Sequence, residues 1–99
     1  ITYAPVEHAE KVRQAMGEAG AGKIGNYSFC SFSVVGTGRF LPGSGAKPFI
    51  GQEGKIEEVA EERIEMICDA NMASDVVVAL KKAHPYEEVA YEVYEIVNL

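Results

Sequence analysis

The 99-residue sequence has no tryptophan, two histidines and two cysteines. Two cysteines are too few to staple a disulfide-rich mini-protein, so the fold must rest on a hydrophobic core. Long apolar runs are also missing, and no stretch comes near the roughly 18 residues of a transmembrane helix. Basic residues are scarce: nine Lys and Arg stand against 15 Asp and Glu, a formal net charge of −6. That balance argues against nucleic acid and against an anionic membrane as partners, because both need a basic surface. The opening residues ITYAPVEHAEK lack a basic stretch followed by an apolar one, so no secretory signal is expected. No Met begins the chain, as in a trimmed fragment. The expected setting is cytoplasmic, with reduced thiols. What is present suits one domain over residues 1–99, with 47% hydrophobic residues.

Periodicity divides the chain. Residues 1–6, short, apolar and containing Pro5, read as a strand. Over residues 7–19, Ala9, Val12, Met16 and Ala19 recur at helical spacing, and Gly20 and Gly22 end the helix. Residues 27–35 read as a strand with Cys30, Phe32 and Val34 on one face and Tyr27, Phe29, Ser31 and Ser33 on the other. Residues 36–54, rich in glycine and holding Pro42 and Pro48, read as a long loop. Residues 61–69 alternate, with Ile64, Met66 and Cys68 opposed to Glu61, Arg63 and Glu65. A second helix is expected over 72–83, with Met72, Val76, Leu80 and Ala83 inward. Lys81 and Lys82 suit its C-terminal dipole, and Pro85 stops it. Residues 89–97 supply a fourth strand.

Two interleaved β-α-β halves give an α+β fold of the ferredoxin-like split β-α-β type (βαββαβ). Its four-stranded antiparallel sheet has the order 4-1-3-2, with both helices on one face. The other face is left uncovered, carrying Tyr27, Phe29, Ile67 and part of the fourth strand, and apolar surface of that extent usually meets a partner. A symmetric register across the central loop sets Cys30 opposite Cys68, Phe32 opposite Met66 and Val34 opposite Ile64, all under the helices. Buried in apolar surroundings, such thiols are inert.

The motifs GAGKIGNY at 20–27, Cys30, GTGRF at 36–40, PFIG at 48–51, Glu61, Arg63, Glu65 and HPYEE at 84–88 occur in order along nearly the whole chain. In these the sequence resembles the inserted domain of the YqfO-type dinuclear-metal-centre family, that of the yeast NGG-one-interacting factor three. The resemblance implies a CutA/PII-like fold and a trimeric assembly. It places the family's paired-metal site in another domain, absent from this chain, so the family's hydrolase labels do not pass to these residues. PII-like proteins use the loop at this topological place for ligands.

The candidate sites follow from chemistry and topology. Residues 20–25 match G-x-G-x-x-G, but in the order helix, glycines, strand; the dinucleotide motif needs strand, glycines, helix, so a helix cap and tight turn is the better reading. The central loop offers Gly36, Gly38, Arg39 and Lys47, with Lys55 beyond: glycine amides and basic side chains that could receive an anion. Equally, the loop could simply wrap a neighbouring subunit. The sheet order gathers His8, His84, Glu87, Glu88, Glu61 and Glu62 at one end. Imidazole and carboxylate suit a divalent metal such as zinc, with His84, Glu87, Glu88 and His8 as the expected ligands. The alternative is structural, with His84 and Pro85 ending the helix and Tyr86 packing as a plug. No Ser/His/Asp or Cys/His triad is legible.

These readings favour a non-enzymatic, oligomeric module that binds a small molecule or metal and regulates. Two alternatives stand beside it: an accessory domain that shapes or completes the site of a metal-dependent hydrolase, alone or with a separately encoded partner, and a purely structural oligomerisation cap.

Overall fold

The computed structural model describes all 99 residues. Its elements are β1 (Thr2–Pro5), α1 (Val6–Glu18), β2 (Phe32–Phe40), β3 (Glu57–Glu65) and α2 (Ala73–Ala83), the last entered through a single 3-10 turn at Ala70–Met72. The strands form one antiparallel sheet in the order β1-β3-β2. The fold is α+β with two helices and three strands, as in a ferredoxin-like split domain. No helix is long and apolar enough to cross a membrane.

Both helices begin and end where local chemistry demands. Pro5 closes β1 and serves as the N-cap of α1, a place where its missing N–H costs nothing. At the other end Gly20 takes a left-handed φ of 115°. Its N–H donates to the Gly17 carbonyl at 3.1 Å, and the Ala21 N–H to the Met16 carbonyl at 3.0 Å. This is a Schellman cap, and Met16 and Ala21 both enter the core as such a cap favours. The glycine-rich segment after α1 is therefore a cap and turn, as its order in the chain implies. Ala9, Val12 and Met16 of α1, Val76 and Leu80 of α2, and Ala4 and Ile64 of the sheet make the rest of the core.

The first strand and both helices fall within a residue or two of their expected positions; the other strands do not. β2 starts at Phe32, not at residue 27. The preceding residues close a loop of their own. Ile24 and Tyr27 exchange both backbone hydrogen bonds across a turn with Gly25 at φ 57°, and the Cys30 N–H donates to the Gly22 carbonyl at 2.9 Å. Phe29 is left-handed at φ 57°, which no strand residue can be. Tyr27 and Phe29 thus lie outside the sheet. β2 then runs through Gly36 and Gly38 to Phe40, so the irregular loop spans 41–56 and not 36–54. β3 is likewise shifted, to Glu57–Glu65, and Met66 and Cys68 follow it. Cys30 and Cys68 are not cross-strand partners; both are free and half-buried.

Register matters more than these boundaries. Ser33, not Val34, lies opposite Ile64. A slip of one residue turns every side chain of a strand to the other face. Ser33 therefore sits under the helices, where Arg13 of α1 reaches its Oγ at 3.2 Å and also pairs with Glu62. Phe32 and Val34 point to the open face; Phe32 is 66% exposed.

The fourth strand is reduced to one bridge, Thr2 to Tyr91. It lies on the outer side of β1, where the order 4-1-3-2 puts it. The Ile1 and Glu92 backbones exchange hydrogen bonds of 3.0 and 2.9 Å, and Thr2 Oγ1 donates to the Ala90 carbonyl at 2.9 Å. Residues 93–99 pair with no strand.

Ile64 is fully buried between Thr2 and Ser33, whereas Phe32 faces outward. Ile64→Ala should lower unfolding free energy by about 2–5 kcal/mol, the usual cost of emptying a core site. Phe32→Ala, read in urea at concentrations dilute enough for a monomer, should cost under about 1 kcal/mol. Equal losses would mean that β2 buries Phe32 after all.

Candidate functional site

The end of the sheet where β2 leads into the loop carries a cavity of about 420 Å³. Alternation supplies its floor: Tyr3 of β1, Glu61 of β3, and Gly38 and Phe40 of β2 all project from the open face. Residues of the loop, Leu41 to Ile50, form one wall, and Tyr86, Glu87 and Glu88 form the other. Two contacts tie the walls down. The Lys47 N–H donates to Glu87 Oε1 at 2.8 Å, and the Phe49 ring meets the His8 ring edge-on, with centroids 5.3 Å apart.

Gly38 is a matter of space. A Cβ built there would lie 2.0 Å from Glu61 Oε1. The glycine lets a carboxylate lie flat against the neighbouring strand. Glu61 Oε2 accepts a hydrogen bond of 2.8 Å from the Tyr86 hydroxyl. Burial first, then that bond and the Glu61 charge, push the Tyr86 phenol above its ordinary range. The phenol therefore remains a donor at neutral pH.

His84 explains why Tyr86 reaches this place. It follows the last turn of α2 in an extended conformation (φ −75°, ψ 137°), as the residue before a proline must. The ring is buried, at 6% exposure. Nε2 lies 2.6 Å from the Tyr3 carbonyl, which can only accept, so Nε2 carries the proton. Nδ1 accepts the Tyr86 N–H at 3.1 Å. Both nitrogens are used, and the neutral ring fits both partners. Burial lowers the pKa of His84 below 6.5; the bond to Tyr3 and the charge of Glu61 oppose this, and the charge of His8 adds to it.

The expected metal ligands are thus near one another but differently employed. His84 is engaged at both nitrogens, His8 packs on Phe49, Glu87 holds the loop, and Glu88 is exposed. No group of three or more His, Cys, Asp or Glu side chains comes together in a way that could hold a metal ion. Among the expected loop residues, Gly36 has open space beside it, and Gly38 faces Glu61. Arg39 reaches toward Glu58 at 3.6 Å, and Lys47 contributes its backbone amide. Glu62, expected in the same cluster, is on the helix side with Arg13. Tyr3 and Phe40 were not among the expected site residues: Phe40 fell in the expected loop, and only the extension of β2 to Phe40 and the folding-back of the loop make the two a floor.

Comparison with known proteins identifies where such a domain occurs. No family model matches the chain. Proteins named GTP cyclohydrolase 1 type 2 homolog do match: that of Mycobacterium tuberculosis is 50% identical over 97 residues, which is 98% of this chain and 26% of the relative. That of Bacillus subtilis is 51% identical over 94 residues, 95% of this chain and 25% of the relative. A crystal structure described as a Bacillus cereus protein related to NIF3 superposes with a TM-score of 0.84 at 52% identity, over 98% of this chain and 24% of that one. This chain matches one quarter of those proteins. The α+β architecture described above is therefore shared with one segment of a NIF3-related structure.

The pH response of His84 follows from its two bonds. Its folded-state pKa lies below the unfolded reference of about 6.5, so its contribution is complete above that value and is lost as pH falls through and below it. The stability difference between the native chain and His84→Gln should shrink as pH drops from 7.5 to 5. Ring NMR should show the Nε2-protonated tautomer with a midpoint under 6.5. A midpoint at or above 6.5 would contradict the buried, doubly bonded ring.

Proposed function

We propose that this chain is the inserted, CutA/PII-like domain of a NIF3-related protein, and that it acts as a self-associating binding and regulatory module. The observation that carries this reading is the uncovered sheet face. Phe32 and Val34 of β2 are exposed on it, and so is Tyr94 beside it. Only 14 of 99 residues are buried, too thin a core to leave so much apolar surface permanently wet. A further copy of the chain is the partner we assign to that face, with a trimer as the expected assembly. Any chemistry implied by the relatives' name belongs, on this reading, to the rest of those proteins. A separately folded metal-centre domain would be the partner this module regulates or shapes.

The loop cavity supports binding over a merely structural cap. A cap needs surface complementarity, not a half-open cavity floored by residues from three strands. A metal site is the weaker form of the same idea, since His84 would have to give up both its hydrogen bonds to serve as a ligand.

Light scattering of the chain at micromolar concentration should give a multiple of the 10.7 kDa chain mass. Val34→Lys, on the open face, should shift the mass to a single chain while leaving far-ultraviolet circular dichroism unchanged. A single-chain mass for the native sequence at every concentration up to about 100 μM, the order at which even weak specific assemblies form, would overturn self-association.

A further inference from the structure

The loop cavity has a composition that selects its occupant, and this inference rests on reading the domain as a binding module. Three carboxylates, Glu61, Glu87 and Glu88, face it from two sides. The single basic side chain at its edge, Arg39, is 62% exposed and turned toward Glu58. The aromatic rings of Tyr3, Phe40 and Tyr86 contribute the apolar surface, and Phe40 and Tyr86 meet edge-to-face with centroids 5.8 Å apart. Aromatic faces and carboxylates converging on one space attract a cation twice over, through ring quadrupoles and through charge. The same arrangement repels an anion, despite the glycines and basic residues of the loop sequence.

We propose that the cavity under the 41–50 loop binds a small organic cation, an ammonium or guanidinium group on an apolar body, with Glu61 as the counter-charge. Glu61 is suited to the part. Its Oε2 is fixed by the Tyr86 hydroxyl, and Gly38 leaves its carboxylate accessible along the strand. The carboxylate is thus pre-oriented, so little side-chain entropy is lost when a cation arrives. At about 420 Å³ the space falls within the usual range for small-molecule sites, roughly 300–1,000 Å³. The apolar body would rest against Phe40 and the prolines of the loop.

Three probes of one size and different charge test this: 2-phenylethylammonium, 2-phenylethanol and 3-phenylpropionate, each titrated into the 99-residue chain and followed by amide NMR shifts. The ammonium should bind about tenfold or more tighter than the carboxylate, a difference of about 1.4 kcal/mol, with shifts at Tyr3, Phe40 and Tyr86. Glu61→Gln keeps the acceptor for Tyr86 and removes the charge; it should weaken the ammonium about tenfold and leave the alcohol unchanged. Glu88→Gln, at an exposed position, should act in the same direction and guards against a folding defect at Glu61. Preferential binding of the carboxylate, or an ammonium affinity indifferent to both substitutions, would overturn the cation assignment and leave the binding-module reading standing. No shifts with any probe would overturn both.

Discussion

The register of β3 between its two neighbours is the constraint on which the rest of this structure depends. β3 is the central strand, and its alternation sorts the molecule into two halves. Ile64 goes to the helices and fills the core with Val12, Met16 and Leu80. Glu62 goes the same way and is neutralised by Arg13. Glu61, one residue earlier, is thereby sent to the open face, where it meets Gly38 and Tyr86. A carboxylate under the helices would need a partner to offset its desolvation, and only Glu62 has one within reach. The pairing that buries Ile64 is therefore also the pairing that places an acidic group at the cavity floor.

A second chain of interactions ties the end of α2 to that floor. His84 bonds the β1 backbone through one nitrogen and the Tyr86 backbone through the other. Tyr86 then bonds Glu61. Each link is a directional bond in a partly buried setting, where an orphaned partner costs about 1–3 kcal/mol. Residues that suggest a metal site by type have thus become a rigid bracket. The bracket is structural at His84 and chemically available at Glu61, Glu87 and Glu88. The same cluster serves fold and function at different atoms.

Much of this was legible in the sequence, and the misses have physical causes. The two helices were readable because Ala9, Val12, Met16, Val76 and Leu80 repeat at helical spacing and because Gly20 and Pro85 stop them. The sheet order was readable from connectivity. The register of β2 was not, because Tyr27, Phe29, Phe32 and Val34 are apolar on both parities and give no preference for a face. The glycines at 36 and 38 read as loop, and only the approach of the Glu61 carboxylate explains why a strand keeps one at 38. The fourth strand expected over 89–97 is present only as the Thr2–Tyr91 bridge, next to which the Thr2 hydroxyl takes the Ala90 carbonyl. At the site, the residue types at 84–88 were visible and their employment was not, since hydrogen-bond direction depends on the fold. The electrostatic sign of the cavity also escaped, because Arg39 turns toward Glu58 and Lys47 meets Glu87 through its backbone amide.

The measurement that reaches the centre of this account is the cross-strand proton pattern of the sheet, read by nuclear Overhauser effects on the isotopically labelled chain. The account predicts contacts placing Ser33 and Thr2 directly opposite Ile64, and Gly36 and Pro5 opposite Glu61. Contacts placing Val34 opposite Ile64 would contradict it, for they would turn Phe32 and Val34 into the core and remove the open apolar face.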